Sequence, residues 1–232
     1  MGTDTLSRRE LLRLKPNARD VDYAGWTQRL RGEFAGVDRA PLRRALAPVA
    51  ATLAEQLGAG DRVLDAAGLV APAGAVHCDL LDLDDLPHPD DSFDAVVSAF
   101  GFAQASRALR TAQELVRVCR PGGTIALAAW APRGLPGGLE EHVTRPHGIV
   151  SPALWGEEER ARRRLEPLLH GVTVRLRTVR IEFATADAMY EQLVPPAQRL
   201  RAPFDALLAR NSASRGSAAT AARYLLITGT VA

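Results

Sequence analysis

Apolar residues recur at two different periods along this chain, and the change between them divides it. Leu42, Leu46, Val49, Leu53 and Leu57 step by three or four, which gives a helix one buried face. Before it, Leu11, Leu12 and Leu14 precede the breaker Lys15-Pro16-Asn17, and a helical stretch near 21–34 carries Tyr23, Trp26 and Leu30. Gly58-Ala59-Gly60 is a stop signal. Beyond it the apolar runs become short and uniform. Residues 62–67, 93–100 and 124–130 lack apolar/polar alternation, as strands buried on both faces do. Residues 75–81 are a weaker strand. Ser106–Val118 is amphipathic, with Leu109, Ala112, Leu115, Val116 and Cys119 on the inner face, and Arg120-Pro121-Gly122-Gly123 ends it. The last third predicts a helix over 157–170, a half-exposed strand over 172–183, helices near 187–193 and 197–208, and a strand over 222–231. Residues 131–156 are rich in Gly and Pro without periodicity; loops this long are often functional lids. Strand–helix alternation of this kind predicts an α/β sandwich with a mostly parallel sheet. A helical segment, 1–60, would pack on an α/β domain, 61–232.

Composition narrows the function classes. The 232 residues suffice for one large domain, and 47% hydrophobic with 24% charged residues excludes a disordered or collagen-like chain. No apolar run approaches the ~18 residues of a membrane span. Net charge is +2, which leaves no basic field for nucleic acid. Cys78 and Cys119 lack a metal-ligand spacing, and the opening residues lack a signal-peptide apolar core. Both features predict reduced thiols in a cytoplasmic protein, with no metal site.

Three stretches carry a resemblance: Val63-Leu64-Asp65, Leu86-Pro-His-Pro-Asp-Asp-Ser-Phe-Asp-Ala-Val-Val-Ser98, and Glu114-Leu-Val-Arg-Val-Cys-Arg-Pro-Gly-Gly123. In this order the chain resembles a class I S-adenosylmethionine-dependent methyltransferase of the small-molecule type, over roughly residues 40–232. The resemblance implies a Rossmann-like sandwich, mostly parallel, with an antiparallel last strand. It also implies S-adenosylmethionine as cofactor, at the carboxyl ends of the central strands. A Gly-rich loop would admit the methionine part, because glycine permits close approach. One acid would accept from the ribose hydroxyls and another from the adenine amine, because these groups are donors. The positions that match are Asp65, Gly68, Asp79, Asp82 and Phe100.

The chain departs from the family at this point. Only Gly68 remains of the loop glycines, in Ala66-Ala67-Gly68-Leu69-Val70-Ala71-Pro72, and Pro72 lacks an amide donor. Nine residues, Ala66–Gly74, separate Asp65 from the strand at Ala75, whereas a helical crossover needs a dozen or more. A helix–strand segment is therefore missing. Two alignments remain. Residues 75–81 are the second strand, with Asp79 as the ribose acid; or they are the third, with Asp82 as the adenine-side acid. The spacing to Leu86-Pro87 favours the third-strand alignment.

Other candidates have simpler alternatives. Eight aspartates and no Lys or Arg lie between Val63 and Ser106; they make a cleft suited to a sulfonium, or solvated turns. Asp94 belongs to the strand motif and reads as structural. His142 and His147, beside Glu140 and Glu141, offer a lid base or solvated loop residues. Trp155 and Tyr190 line a pocket or belong to the core, and Arg160–Arg164 form an exposed helix face or a partner site. No catalytic residue is assigned. The expectation is a methyltransferase-like protein of small-molecule metabolism with impaired or lost cofactor binding. The alternative is a non-catalytic relative that binds a small ligand or pairs as a homodimer or with a catalytic subunit.

Overall fold

The computed structural model describes residues 22–33, 36–79, 83–105, 107–145, 149, 151–212 and 218–232. Three helices come first: α1 (Tyr23–Glu33), α2 (Ala40–Ala45) and α3 (Ala47–Ala54). The periodic stretch from Leu42 is thus two short helices meeting at Leu46, and Leu42, Leu46, Val49 and Leu53 are all buried on one face of the sheet. Residues 11–17 lie outside the described residues.

A six-stranded sheet follows: β1 (Val63–Ala66), β2 (Val76–Cys78), β3 (Phe93–Ala99), β4 (Cys119–Trp130), β5 (Leu169–Glu182) and β6 (Ala219–Val231). Its order is β2-β1-β3-β4-β6-β5. The first four strands are parallel, and β6 runs antiparallel to both β4 and β5. This is the mostly parallel α/β sandwich that the alternating pattern predicts, in the Rossmann-like arrangement that the resemblance implies. The connection from β1 to β2, residues 67–75, contains no helix. β2 pairs with β1 itself, Asp65 opposite His77, so it takes the second-strand place. The preference for a third-strand placement is corrected here: with the intervening segment gone, the free edge of β1 is the nearest unpaired ladder.

The helix α4 (Ala108–Val118) packs beneath the sheet, with Ala112, Leu115 and Val116 buried. Leu109 is exposed instead, since it falls on the solvent side of the helix. Arg120–Gly123 belongs to β4 as an irregularity between the pairs Phe93–Cys119 and Ala95–Thr124. The predicted helix over 157–170 is shorter, α5 (Glu158–Leu165), and gives way to β5 at Leu169. Helices α6 (Ala186–Leu193) and α7 (Arg201–Asn211) cover the opposite face. Among the described residues no helix is long and apolar enough to cross a membrane.

Candidate functional site

Parallel strands end together, and their carboxyl ends converge on one cavity of about 350 Å³. Gly68 follows β1, Asp79 follows β2, Phe100 follows β3 and Trp130 closes β4; all four line it. Arg39, Leu42 and Arg43 form the facing wall, from the start of α2. Residues 131–145 border the opening and include a 3-10 turn at 137–141. They contribute Pro136, Leu139, Glu140 and Arg145. The wall and the far side are joined in both directions: Arg39 donates to the Gln192 carbonyl (2.8 Å) and the Gln192 side-chain amide donates to the Asp38 carbonyl (2.7 Å). The rings of Phe100 and Trp130 stack at 3.5 Å and 3°.

The loop after β1 is closed on itself. Gly68 N–H donates to Asp65 Oδ1 (3.1 Å), Ala67 N–H to the Asp65 and Cys78 carbonyls (both 3.1 Å), and Leu69 N–H to the Ala99 carbonyl (2.9 Å). Ala67 holds the left-handed conformation, φ 54°, which costs a residue with a Cβ roughly 1–2 kcal/mol. Asp65 is 1% exposed. Its second oxygen lies 2.6 Å from His77 Nδ1. Burial pushes the Asp65 pKa up, against the pull of His77 and of the Gly68 N–H. The imidazole is 60% exposed and lines the cavity.

A family model described as a methyltransferase domain matches residues 26–127. Over that stretch, less than half of its length, the chain is similar to the methyltransferase domain family. An uncharacterised Mycobacterium tuberculosis protein is 43% identical over 79 residues, 32% of this chain and 28% of the relative. The ubiquinone/menaquinone biosynthesis C-methyltransferase of Ectopseudomonas mendocina is 31% identical over 128 residues, 55% of this chain and 47% of that enzyme. The chain thus spans less than half the length of these curated relatives. The crystal structure of the YcgJ protein from Bacillus subtilis shares the fold, with a TM-score of 0.53 at 16% identity, over 81% of this chain and 98% of that one.

Methyltransferases of this family owe their cofactor a loop with free amide donors and room for close approach. The Ala67, Gly68 and Leu69 donors are all used inside the protein. The space at Gly68 is filled as well: a Cβ there would lie 2.4 Å from Asp65 Oδ1 and 2.9 Å from the Ala99 nitrogen. The glycine therefore serves protein-to-protein packing. The loop as it stands offers no unpaired amide at residues 67–69. Asp79 stands on the cavity wall at the end of β2, where a ribose acid belongs.

The methyltransferase resemblance brings Gly68, Asp79 and Phe100 together at the cavity, and Asp65 lies beneath the loop. Asp82 and His147 lie outside the described residues. His142 is exposed and absent from the cavity lining, Trp155 is buried core, and Tyr190 packs edge-on against Phe204 away from the lining. The aspartates between 84 and 94 are largely spent on the fold: Asp84 on Thr111 and Arg107, Asp90 on Arg117, Asp94 on Arg120. Arg160, Arg162 and Arg163 pair with glutamates of their own helix or its ends. Arg39, Arg43, His77, Gln104 and Arg145 reach the site without having been singled out by the sequence. His77 alone carried a readable signal, through its position two residues before Asp79 on a strand bordering β1.

The lid is latched at Glu140. Its carboxylate accepts from Gln104 Nε2 (3.0 Å) and from Arg145, whose guanidinium also donates to the Glu140 carbonyl (2.6 Å). Burial depresses the Arg145 pKa. Replacing Glu140 by alanine leaves Arg145 without its carboxylate, at a cost of about 1–3 kcal/mol. Hydrogen exchange across 137–145 is expected to accelerate with little change in β3 or β4; unchanged exchange there would show that the lid is held by its apolar contacts instead.

Proposed function

We propose that this chain is a methyltransferase-fold protein of small-molecule metabolism. It encloses a small ligand beneath the lid and binds S-adenosylmethionine weakly. The observation that carries this reading is the self-satisfied loop at Ala67–Leu69, whose donors are spent on Asp65, Cys78 and Ala99. Each charge-assisted hydrogen bond withheld from a ligand costs about 1.5–3 kcal/mol. Two of them weaken binding by about a thousandfold. Titration calorimetry with S-adenosylmethionine and S-adenosylhomocysteine is therefore expected to give dissociation constants in the millimolar range. Micromolar binding of either would overturn the reading.

A second reading, a working methyltransferase, is favoured by one feature: Gly68, Asp79 and Phe100 meet at a single lidded cavity. Micromolar cofactor binding would select it. The sheet edges give less support to a partner subunit. β2 offers three residues, and β5 carries Arg175, Arg177 and Arg180 exposed, a charge pattern that discourages strand-to-strand association. Cys78 and Cys119 are buried and share no disulfide.

A further inference from the structure

The wall facing the loop concentrates positive charge. Arg39 and Arg43 are four residues apart around α2, so they present to the same side, and both line the cavity. A third cation, Arg145, is committed to Glu140. The Arg43 guanidinium makes no hydrogen bond or ion pair with a described residue. Burial and the neighbouring Arg43 charge push the Arg39 pKa down to about 10, which leaves Arg39 ionised at neutral pH. An anion between them relieves their repulsion, and guanidinium forks match a carboxylate in shape.

Next to this pair is a second polar demand. Gln192 is 7% exposed and lines the cavity. Its Nε2 is fixed on the Asp38 carbonyl, which settles the orientation of the amide. Its Oε1 is buried without a hydrogen-bond partner among the described residues. A buried orphan acceptor is costly, and a ligand donor would complete it. His77, Asp79, Gln104 and Glu140 supply the other polar groups of the lining, and its flat apolar part is Trp130 stacked on Phe100, with Leu42 and Leu139 also in the wall.

We propose that the ligand of this cavity is a small planar carboxylate bearing a hydroxyl or amino group. Its anion rests on Arg39 and Arg43, its ring lies along Trp130 and Leu139, and its donor meets Gln192 Oε1. This rests on the small-molecule reading above and names the class of molecule. The same chemistry also exists at the amino-acid end of S-adenosylmethionine, which carries a carboxylate and an ammonium, so the test must separate the two sources.

The full chain is titrated, by calorimetry and saturation-transfer NMR, with the three hydroxybenzoates, their neutral hydroxybenzamides, methionine and S-adenosylhomocysteine. At least one hydroxybenzoate is expected to bind at least about tenfold more tightly than its amide. The R43Q variant should lose that advantage, about tenfold for the acid and nothing for the amide. Arg43 is exposed and bonded to nothing described, so R43Q is expected to melt as the parent does; R39Q, which also breaks the link to Gln192, serves as a second variant. Amides that bind as well as acids would overturn the proposal while the small-molecule reading stands. Methionine or S-adenosylhomocysteine as the only probes sensitive to R43Q would overturn it in favour of the cofactor's amino-acid end. Silence from every probe would overturn both the proposal and the reading beneath it.

Discussion

Replacing Gly101 by alanine is expected to destabilise this protein by about 3 kcal/mol or more, as overpacking against rigid backbone does. The backbone of Gly101 is ordinary helical geometry, φ −68° and ψ −45°, so alanine suffers no torsional penalty. The cost is one of space. A Cβ would stand 1.5 Å from the Ala67 carbonyl oxygen and 2.4 Å from its carbon. Both are backbone atoms, and the loop they belong to is tied down by Asp65, Cys78 and Ala99. Ser98 holds the other side of the joint, donating to the Ala66 carbonyl (2.5 Å) and accepting from Phe102 N–H (3.0 Å). Relief requires the loop to leave β3, which would open the cavity floor. Domains of this kind are stable by only about 5–15 kcal/mol. Urea unfolding is the direct measurement: a lowered midpoint at unchanged slope is the expected result, whereas a midpoint within error of the parent would mean that loop and turn do not touch as described.

An equally large loss, about 3–5 kcal/mol, is expected for Glu114→Ala. Glu114 is 1% exposed. One oxygen accepts from the Leu86 N–H (2.9 Å) and from Arg117 (2.6 Å), and Arg110 lies 3.1 Å from the other. Arg117 in turn donates to the carbonyls of Leu86 (3.0 Å) and His88 (2.8 Å) and to Asp90 (2.8 Å). The hydrogen bonds it donates to Glu114 raise the Arg117 pKa further above its ordinary value. Truncation removes the acceptor for a buried N–H and the carboxylate that two guanidiniums share. Glu114→Gln retains an acceptor for Leu86 and is expected to lose less. Thermal melts of the pair separate the two contributions, and equal melting of Ala and Gln variants would show that charge, rather than the Leu86 hydrogen bond, is what Glu114 supplies.

That polar joint also explains why the resemblance could be read from so little sequence. The Leu86–Phe93 stretch and the Glu114–Gly123 stretch look like separate motifs, yet they are the two halves of one contact. Asp91 N–H donates to the Arg117 carbonyl and Arg120 pairs with Asp94. Strands β1, β3 and β4 were legible for a comparable local reason, since burial on both faces writes itself as an uninterrupted apolar run. The place of β2 was not legible. Three residues with an exposed–exposed–buried pattern carry no instruction about which strand to join; the topology decided it. The Asp65–His77 contact depends on the same parallel register, so it was hidden with it. Arg39 and Arg43 were invisible for another reason. In a chain with one lysine and otherwise only arginines for cations, nothing marks the two that face a cavity.

The tie between Arg39 and Gln192 spans more than 150 positions, and this bears on how the molecule is made. A nascent polypeptide that has just released its fourth strand from the ribosome already possesses a parallel core, but its receptor is only a half-open groove. The pocket comes into being when α6 emerges and swings across to meet the first helices. Ligand-dependent resistance to protease should accordingly be absent from stalled chains that stop before residue 192 and arise in those that extend past it.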